Sequence, residues 1–257
     1  MRTMAVTICL LLSVPLLGQS PPQIPPPGPE RDKWCDAILA HWETAMNQVK
    51  SLEATCERTT EDKVFKTKEV YKGTAKYLKG DGPGLTSRAS LYLVNAANPK
   101  SYEHFVLSGQ FIYEVAPAQK EIRVLELPQP KPGENVEHSL VGLLFGMKAA
   151  QAKARYKIDL IGADQHYFFL GIEAKSQNDK GDFDKAQLAL IRATYLPRQL
   201  RFEQVNGNKI TWDLPSIQTP AANVRPADFM QPNIPGFRPV RVPATPPGPS
   251  TVRSTAK

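Results

Sequence analysis

The sequence predicts an α+β fold that is mainly β: one long N-terminal helix, about ten to eleven antiparallel strands and a short helical insertion midway. Three observations predict it. Residues 155–214 break into short alternating runs separated by turn signals, the pattern of an antiparallel meander. Asn206-Gly207, between two such runs, is the strongest hairpin signal in the chain. Apolar residues at helical spacing occur convincingly in only two patches, around residues 32–50 and 138–154.

The 257 residues are 41% hydrophobic and 22% charged, a globular balance, and the 24 prolines divide the chain. Seven fall between positions 15 and 29 and ten between 215 and 249, leaving seven for the long middle. Proline fixes φ and removes a backbone donor, so the ends read as extended linkers and the middle as the folded unit. Residues 1–20 read as a signal peptide: Arg2 supplies the positive start, residues 4–17 the apolar stretch, and Gly18-Gln19-Ser20 the small residues for cleavage. That stretch is shorter than the roughly 20 residues of a bilayer span. The remaining division is a proline-rich spacer at 21–31, a folded domain at 32–237 and a disordered, basic, proline-rich tail at 238–257. The leader implies a periplasmic or secreted protein.

Removing the leader takes away Arg2 alone and leaves a formal charge of +6 from the original +7. The excess favours an anionic envelope surface by long-range attraction. Nucleic acid is not predicted as a partner, because the cations are spread along strands and tail. Two cysteines remain after cleavage, Cys35 and Cys56. A helix running to about Lys50 and doubling back as a strand would leave both about 20 Å from the turn. In an oxidising compartment a disulfide is then expected, worth roughly 3 kcal/mol. The alternative is two separately buried thiols.

In order, Asp32 is an N-cap candidate for a helix whose apolar stripe includes Trp34, Cys35, Ile38, Leu39, Trp42 and Met46. Leu52, Ala54 and Cys56 alternate with Glu53, Thr55 and Glu57 as a half-buried strand. Residues 64–79 form the next strand and end at the breaker Gly80-Asp81-Gly82-Pro83-Gly84. Residues 88–95 carry Leu91 and Leu93 on one face and Tyr92 and Val94 on the other, so neither face is simply solvated. Strands at 103–107, 110–115 and 121–127 follow, hinged at Ser108-Gly109 and Ala116-Pro117-Ala118. Residues 127–137 are a loop, and 138–154 a helical patch interrupted by Gly142 and Gly146. Then come the strands of the meander, with a turn at Gly162-Ala163-Asp164 and the final hairpin joining 199–204 to 209–214. Beyond Pro215 regular structure fades, with Phe229, Met230, Ile234 and Phe237 still able to dock.

No catalytic signature emerges. His41, His104, His138 and His166 are isolated, with no His/Asp/Glu cluster or Cys-x-x-Cys at metal-ligand spacing. There is no Gly-x-Ser-x-Gly elbow and no phosphate-binding glycine loop. Asp182 and Asp184 lie in a polar loop. The reading is of a protein that is not an enzyme, has no cofactor, and holds something rather than transforms it.

Several segments, in order, resemble the periplasmic lipoprotein carriers, LolA and its LolB-like relatives. They are Leu52-Glu53-Ala54-Thr55-Cys56, the Gly-initiated strand Gly73-Thr74-Ala75-Lys76-Tyr77, Ser108-Gly109-Gln110-Phe111-Ile112-Tyr113-Glu114-Val115-Ala116-Pro117, and Ala227-Asp228-Phe229-Met230-Gln231-Pro232. The resemblance covers residues 32–240. Lys79-Gly80 stand where the family has Arg-Pro, whose arginine ties lid to barrel.

The resemblance implies an open half-barrel sheet covered by the N-terminal helix and a short helical lid, over an apolar cavity for acyl chains. It implies a lipid or lipoprotein acyl chain as partner, together with envelope membrane proteins. Its cavity candidates on the first strands are Leu91, Leu93, Phe105, Phe111 and Tyr113. Phe168, Leu170 and Trp212 come from the later strands, and Leu140, Leu143 and Leu144 from the lid. The competing reading is an envelope-associated interaction module of the same fold, with a filled core and no transport role.

Overall fold

Twelve strands form one open sheet in the computed structural model, which describes residues 24–80, 87–127, 148–176 and 183–242. Residues 1–23, where the leader is predicted, the segment carrying Leu140, Leu143 and Leu144, and residues beyond 242 lie outside the described residues. The strands are β1 (Ser51–Glu61), β2 (Lys68–Leu78), β3 (Arg88–Asn95), β4 (Tyr102–Ser108), β5 (Phe111–Ala116) and β6 (Glu121–Glu126). After them come β7 (Tyr156–Ala163), β8 (Tyr167–Ala174), β9 (Lys185–Ile191), β10 (Pro197–Glu203), β11 (Lys209–Gln218) and β12 (Arg238–Val242). Their order across the sheet is 12-6-5-4-3-2-1-11-10-9-8-7. Every pairing is antiparallel except β12 on β6. The sheet is not closed, so the open half-barrel under helices is the architecture found.

Local chemistry explains the turns. Asp62, Asn95 and Asp164 each accept backbone N–H bonds from the residues two and three positions further on, at 2.7–3.0 Å. An Asx side chain thereby imitates a backbone turn. The β7–β8 turn therefore starts at Asp164, and Gly162 and Ala163 stay in β7. The β10–β11 hairpin turns at Asn206-Gly207, with Gly207 at φ 83°, a conformation that needs glycine. Gly73 answers a different need: a Cβ there would lie 1.8 Å from the Tyr92 carbonyl oxygen, because β2 and β3 approach closely.

The first helix, α1 (Pro29–Gln48), begins three residues before the predicted cap, with proline in its first turn, where a missing N–H costs nothing. It buries Cys35, Ile38, Leu39, Trp42 and Met46, while Trp34 turns outward. A second, short helix, α2 (Ala149–Arg155), is held against it. Glu43 accepts the Ala149 N–H at 3.0 Å, and Lys153 pairs with Asp36 at 2.5 Å.

The direction of α1 overturns the predicted disulfide. The helix crosses toward β7, where the Arg31 guanidinium donates to the Leu160 carbonyl and the Cys35 thiol to that of Ile158 at 3.6 Å. Cys56 lies on β1, and β8 to β11 stand between β1 and β7. Both are buried free thiols. Burial, helped by Asp36 and Asp159, pushes the Cys35 thiol up to about 11, and burial pushes Cys56 up to about 11.

The sheet changes the face it buries. In β1, β2 and β7–β11 the helix-facing positions form the main core, among them Leu52, Ala54, Tyr71, Leu160, Leu170, Leu188, Leu200 and Phe202. In β4–β6 the larger buried residues, Val106, Val115, Ile122 and Val124, are on the opposite, outer face by register, and only the small Ala116 is buried on the helix side. Their cover is the chain after β11. Ala221 bonds Ser51 on β1 in both directions, at 3.0 and 3.3 Å, and Asp228 pairs with Lys76 on β2 at 3.2 Å. A 3-10 turn, Pro226–Phe229, packs on β3 and β4, with Phe229 wholly buried. The Arg225 N–H first, and Lys76 with it, hold the Asp228 carboxyl below its usual range.

Residues 219–237 are thus a strap across the outer face. It ends in β12, which extends the fold five residues past the predicted boundary at 237. Pro239 fits there because an edge strand can spare a ladder donor.

Candidate functional site

Register sorts the predicted cavity residues into three groups. Leu93, Phe168, Leu170 and Trp212 face the helix within or against the packed core, and Leu93 and Leu170 are wholly buried. Leu91 and Phe105 also face the helix side but are only half-buried. Phe111 and Tyr113, stacked at 6.2 Å, are on the outer face. The hairpin at Gly109-Gln110 pairs Leu107 with Ile112, so Ile112, not its aromatic neighbours, shares a face with Phe105. That flip was readable from the two-residue loop. Leu140, Leu143 and Leu144 lie outside the described residues.

What the structure does bring together is a graded surface on the helix side of β3–β6 and β12. One rung runs Leu93, Glu103, Ala116, Glu121, Arg238; the next Leu91, Phe105, Glu114, Arg123, Val240; the third Ala89, Leu107, Ile112, Leu125, Val242. Polarity falls from the first rung to the third. Phe105, Leu107, Ile112, Leu125, Val240 and Val242 are all half-buried. None belongs to the core cluster, which reaches across the sheet as far as Leu91 and Leu93.

Ion pairs supply the polar side. Arg58 reaches across from β1 to hold Glu103 in two bonds, at 2.6 and 2.7 Å. Such forked pairing is the stronger kind of charged hydrogen bond. The same guanidinium lies 4.7 Å from the Tyr71 ring centre and 5.6 Å from that of Trp212, within cation–π range. Its Nε–H is buried and has no acceptor among the described residues. Arg238 holds Glu121 at 2.7 Å and Arg123 reaches Glu114 at 3.5 Å. Sequence reasoning missed Arg58, Glu103 and the Leu107 rung. The two-residue periods pointed to them, from Phe105 to Glu103 and Leu107 on β4 and from Cys56 to Arg58 on β1.

A surface of this kind can hold a molecule with an apolar body and a polar end. Among the described residues no group of His, Cys, Asp and Glu is arranged to hold a metal, and no helix is long and apolar enough to cross a membrane. Two clefts lie elsewhere. One of about 170 Å³ lies on the outer face among Glu53, Thr55, Thr74, Ser216, Gln218 and Asn223. The other, about 410 Å³, lies between hairpin tips at Lys63 and residues 203–207.

No family model matches the chain, and no curated protein does. Solved structures do. An uncharacterized conserved protein from Thermus thermophilus is 10% identical, with a TM-score of 0.49, 80% of this chain and 98% of that one covered. An outer membrane lipoprotein-sorting protein domain from Vibrio parahaemolyticus, described as putative in its own name, is 12% identical at a TM-score of 0.41, covering 77% and 96%. A LolA superfamily protein, NE2245, from Nitrosomonas europaea is 11% identical at 0.35, covering 77% and 97%. The likeness is one of fold. At these identities and scores it assigns no activity.

Proposed function

We propose that this chain is a non-catalytic binding protein that takes a lipid or lipoprotein acyl chain on the helix side of β3–β6. The observation that carries the proposal is the row Leu107, Ile112, Leu125 and Val242. It is apolar, half-buried and outside the packed core, on a face whose neighbouring rows become progressively charged. Acyl carbons laid on it gain about 0.8 kcal/mol per CH₂ removed from water. The ester or carboxylate oxygen would lie toward Arg58, whose Nε–H lacks an acceptor among the described residues. The leader makes the periplasm or the exterior the place where this happens.

The test is organic extraction of the exported protein followed by mass spectrometry, with titration of a fluorescent fatty-acid probe. Co-purified lipid and probe binding are expected, with about tenfold weaker binding in Leu107→Ser, one large apolar contact being worth roughly that factor. Empty extracts together with no probe binding would remove the carrier reading. The packed interior of β7–β11 favours a second reading, an envelope-associated interaction module with a filled core, and that outcome would leave it standing.

A further inference from the structure

The three most exposed of the large apolar side chains among the described residues lie in two neighbouring turns at one end of the sheet. Val64 and Phe65, in the β1–β2 turn, are 74% and 79% exposed, and Val205, in the β10–β11 turn, is 74% exposed. The two turns are fastened into one tip. Asn208 accepts the Lys63 N–H at 3.0 Å and donates to Asp62 at 3.2 Å. Asp62 also accepts the Val64 and Phe65 N–H groups, both at 2.8 Å. The turn's one carboxylate is thereby occupied inside the tip, while its two lysines bracket the apolar pair in the order Lys63-Val64-Phe65-Lys66. Lys66 takes a left-handed backbone, φ 54°, which glycine or asparagine adopts with less strain. Behind the tip Glu61 lies between Lys68 and Lys209 in the ladder, and Asp184 and Glu203 line the cleft with Lys63.

We infer that this paired tip is an interfacial anchor that inserts Val64, Phe65 and Val205 into an anionic lipid surface, with Lys63 and Lys66 at the headgroups. Apolar side chains flanked by lysines suit the boundary between acyl chains and headgroups, since a lysine stem lies along apolar matter while its ammonium stays in water. Size argues against a protein partner. Three such side chains offer on the order of 400 Å², about half of the ~800 Å² per partner in a standard interface. A bilayer needs no matching surface, only apolar groups that project. The formal charge of +6 left when Arg2 is taken from the +7 of the full sequence favours approach to such a membrane. The tip is separate from the β3–β6 surface, so anchoring does not depend on the acyl-binding proposal.

The experiment uses protein beginning at Pro21, which keeps every described residue. It is sedimented with vesicles of phosphatidylglycerol and phosphatidylcholine in equal parts, and with vesicles of phosphatidylcholine alone. Binding to the mixed vesicles is expected. A loss of about tenfold or more is expected in Val64→Ser/Phe65→Ser, with a smaller, salt-sensitive loss in Lys63→Gln/Lys66→Gln. An environment-sensitive dye on Phe65→Cys should shift to the blue with mixed vesicles, the buried Cys35 and Cys56 staying unlabelled. Thermal midpoints and fatty-acid probe binding measured on the same variants should not change. Absence of vesicle binding, or equal binding by Val64→Ser/Phe65→Ser, would overturn the inference. So would a parental dimer that the same double variant turns into a monomer, since the tip would then be a contact between copies of this chain.

Discussion

The two halves of the sheet are built on opposite principles. In β7–β11, with β1 and β2, the helix-facing side is packed solid and the outer side is largely polar and exposed. In β3–β6 the outer side carries the buried valines and the helix-facing side is half-open and partly charged. One cover, α1, lies on the first half. The other, the strap of residues 219–237, lies on the second. A single sheet can therefore be solid in one half and still present an amphipathic surface in the other, because the second half is stabilised from behind.

This contrast predicts a ranking of substitutions. Phe229→Ala should cost about 3–5 kcal/mol in chemical denaturation, the range for a fully buried aromatic. A cost under about 1 kcal/mol would mean that the outer face is not a core at all. Leu188→Ala, in the solid half, should cost about 2–5 kcal/mol. Leu107→Ala, on the half-open side, should cost well under either, about 1 kcal/mol, since much of its surface already meets solvent. Equal losses at Leu188 and Leu107 would erase the distinction between the halves.

The smallest effect is expected from His104, on the outer face edge-on to Tyr92 at 5.5 Å. Burial lowers its pKa from the ordinary 6.5. The folded state therefore binds this proton less readily than the unfolded chain. Stability contributed here is present above pH 6.5 and is lost as pH falls from there through the lowered folded value. Denaturation midpoints across that window should flatten in His104→Gln relative to the parent.

Much of the fold was legible because strand alternation and turn chemistry are local. Residues 88–95 were placed to the residue, and Asn206-Gly207 fixed the last hairpin. What was not legible was the choice of face. Leu91 and Leu93 alternate with Tyr92 and Val94, and Phe105 and Leu107 with Val106, so both faces look apolar. Only the path of a strap more than a hundred residues later decides which is covered. The angle of α1 is likewise a long-range matter, and assuming a hairpin between helix and strand is what brought Cys35 and Cys56 together on paper. The proline-rich stretch that holds β12 was read as linker because an edge strand follows looser rules than a central one.

The strap also dictates an order of assembly. β1 has a single strand neighbour, β2, until β11 has been made more than 140 residues later, and the outer side of β3 and β4 lacks its cover until Phe229 follows. Pairings of such wide sequence separation are slow to form and leave strand edges open meanwhile. Completion of the sheet therefore waits on residues 209–242, and the early strands must stay unaggregated until those residues have been made.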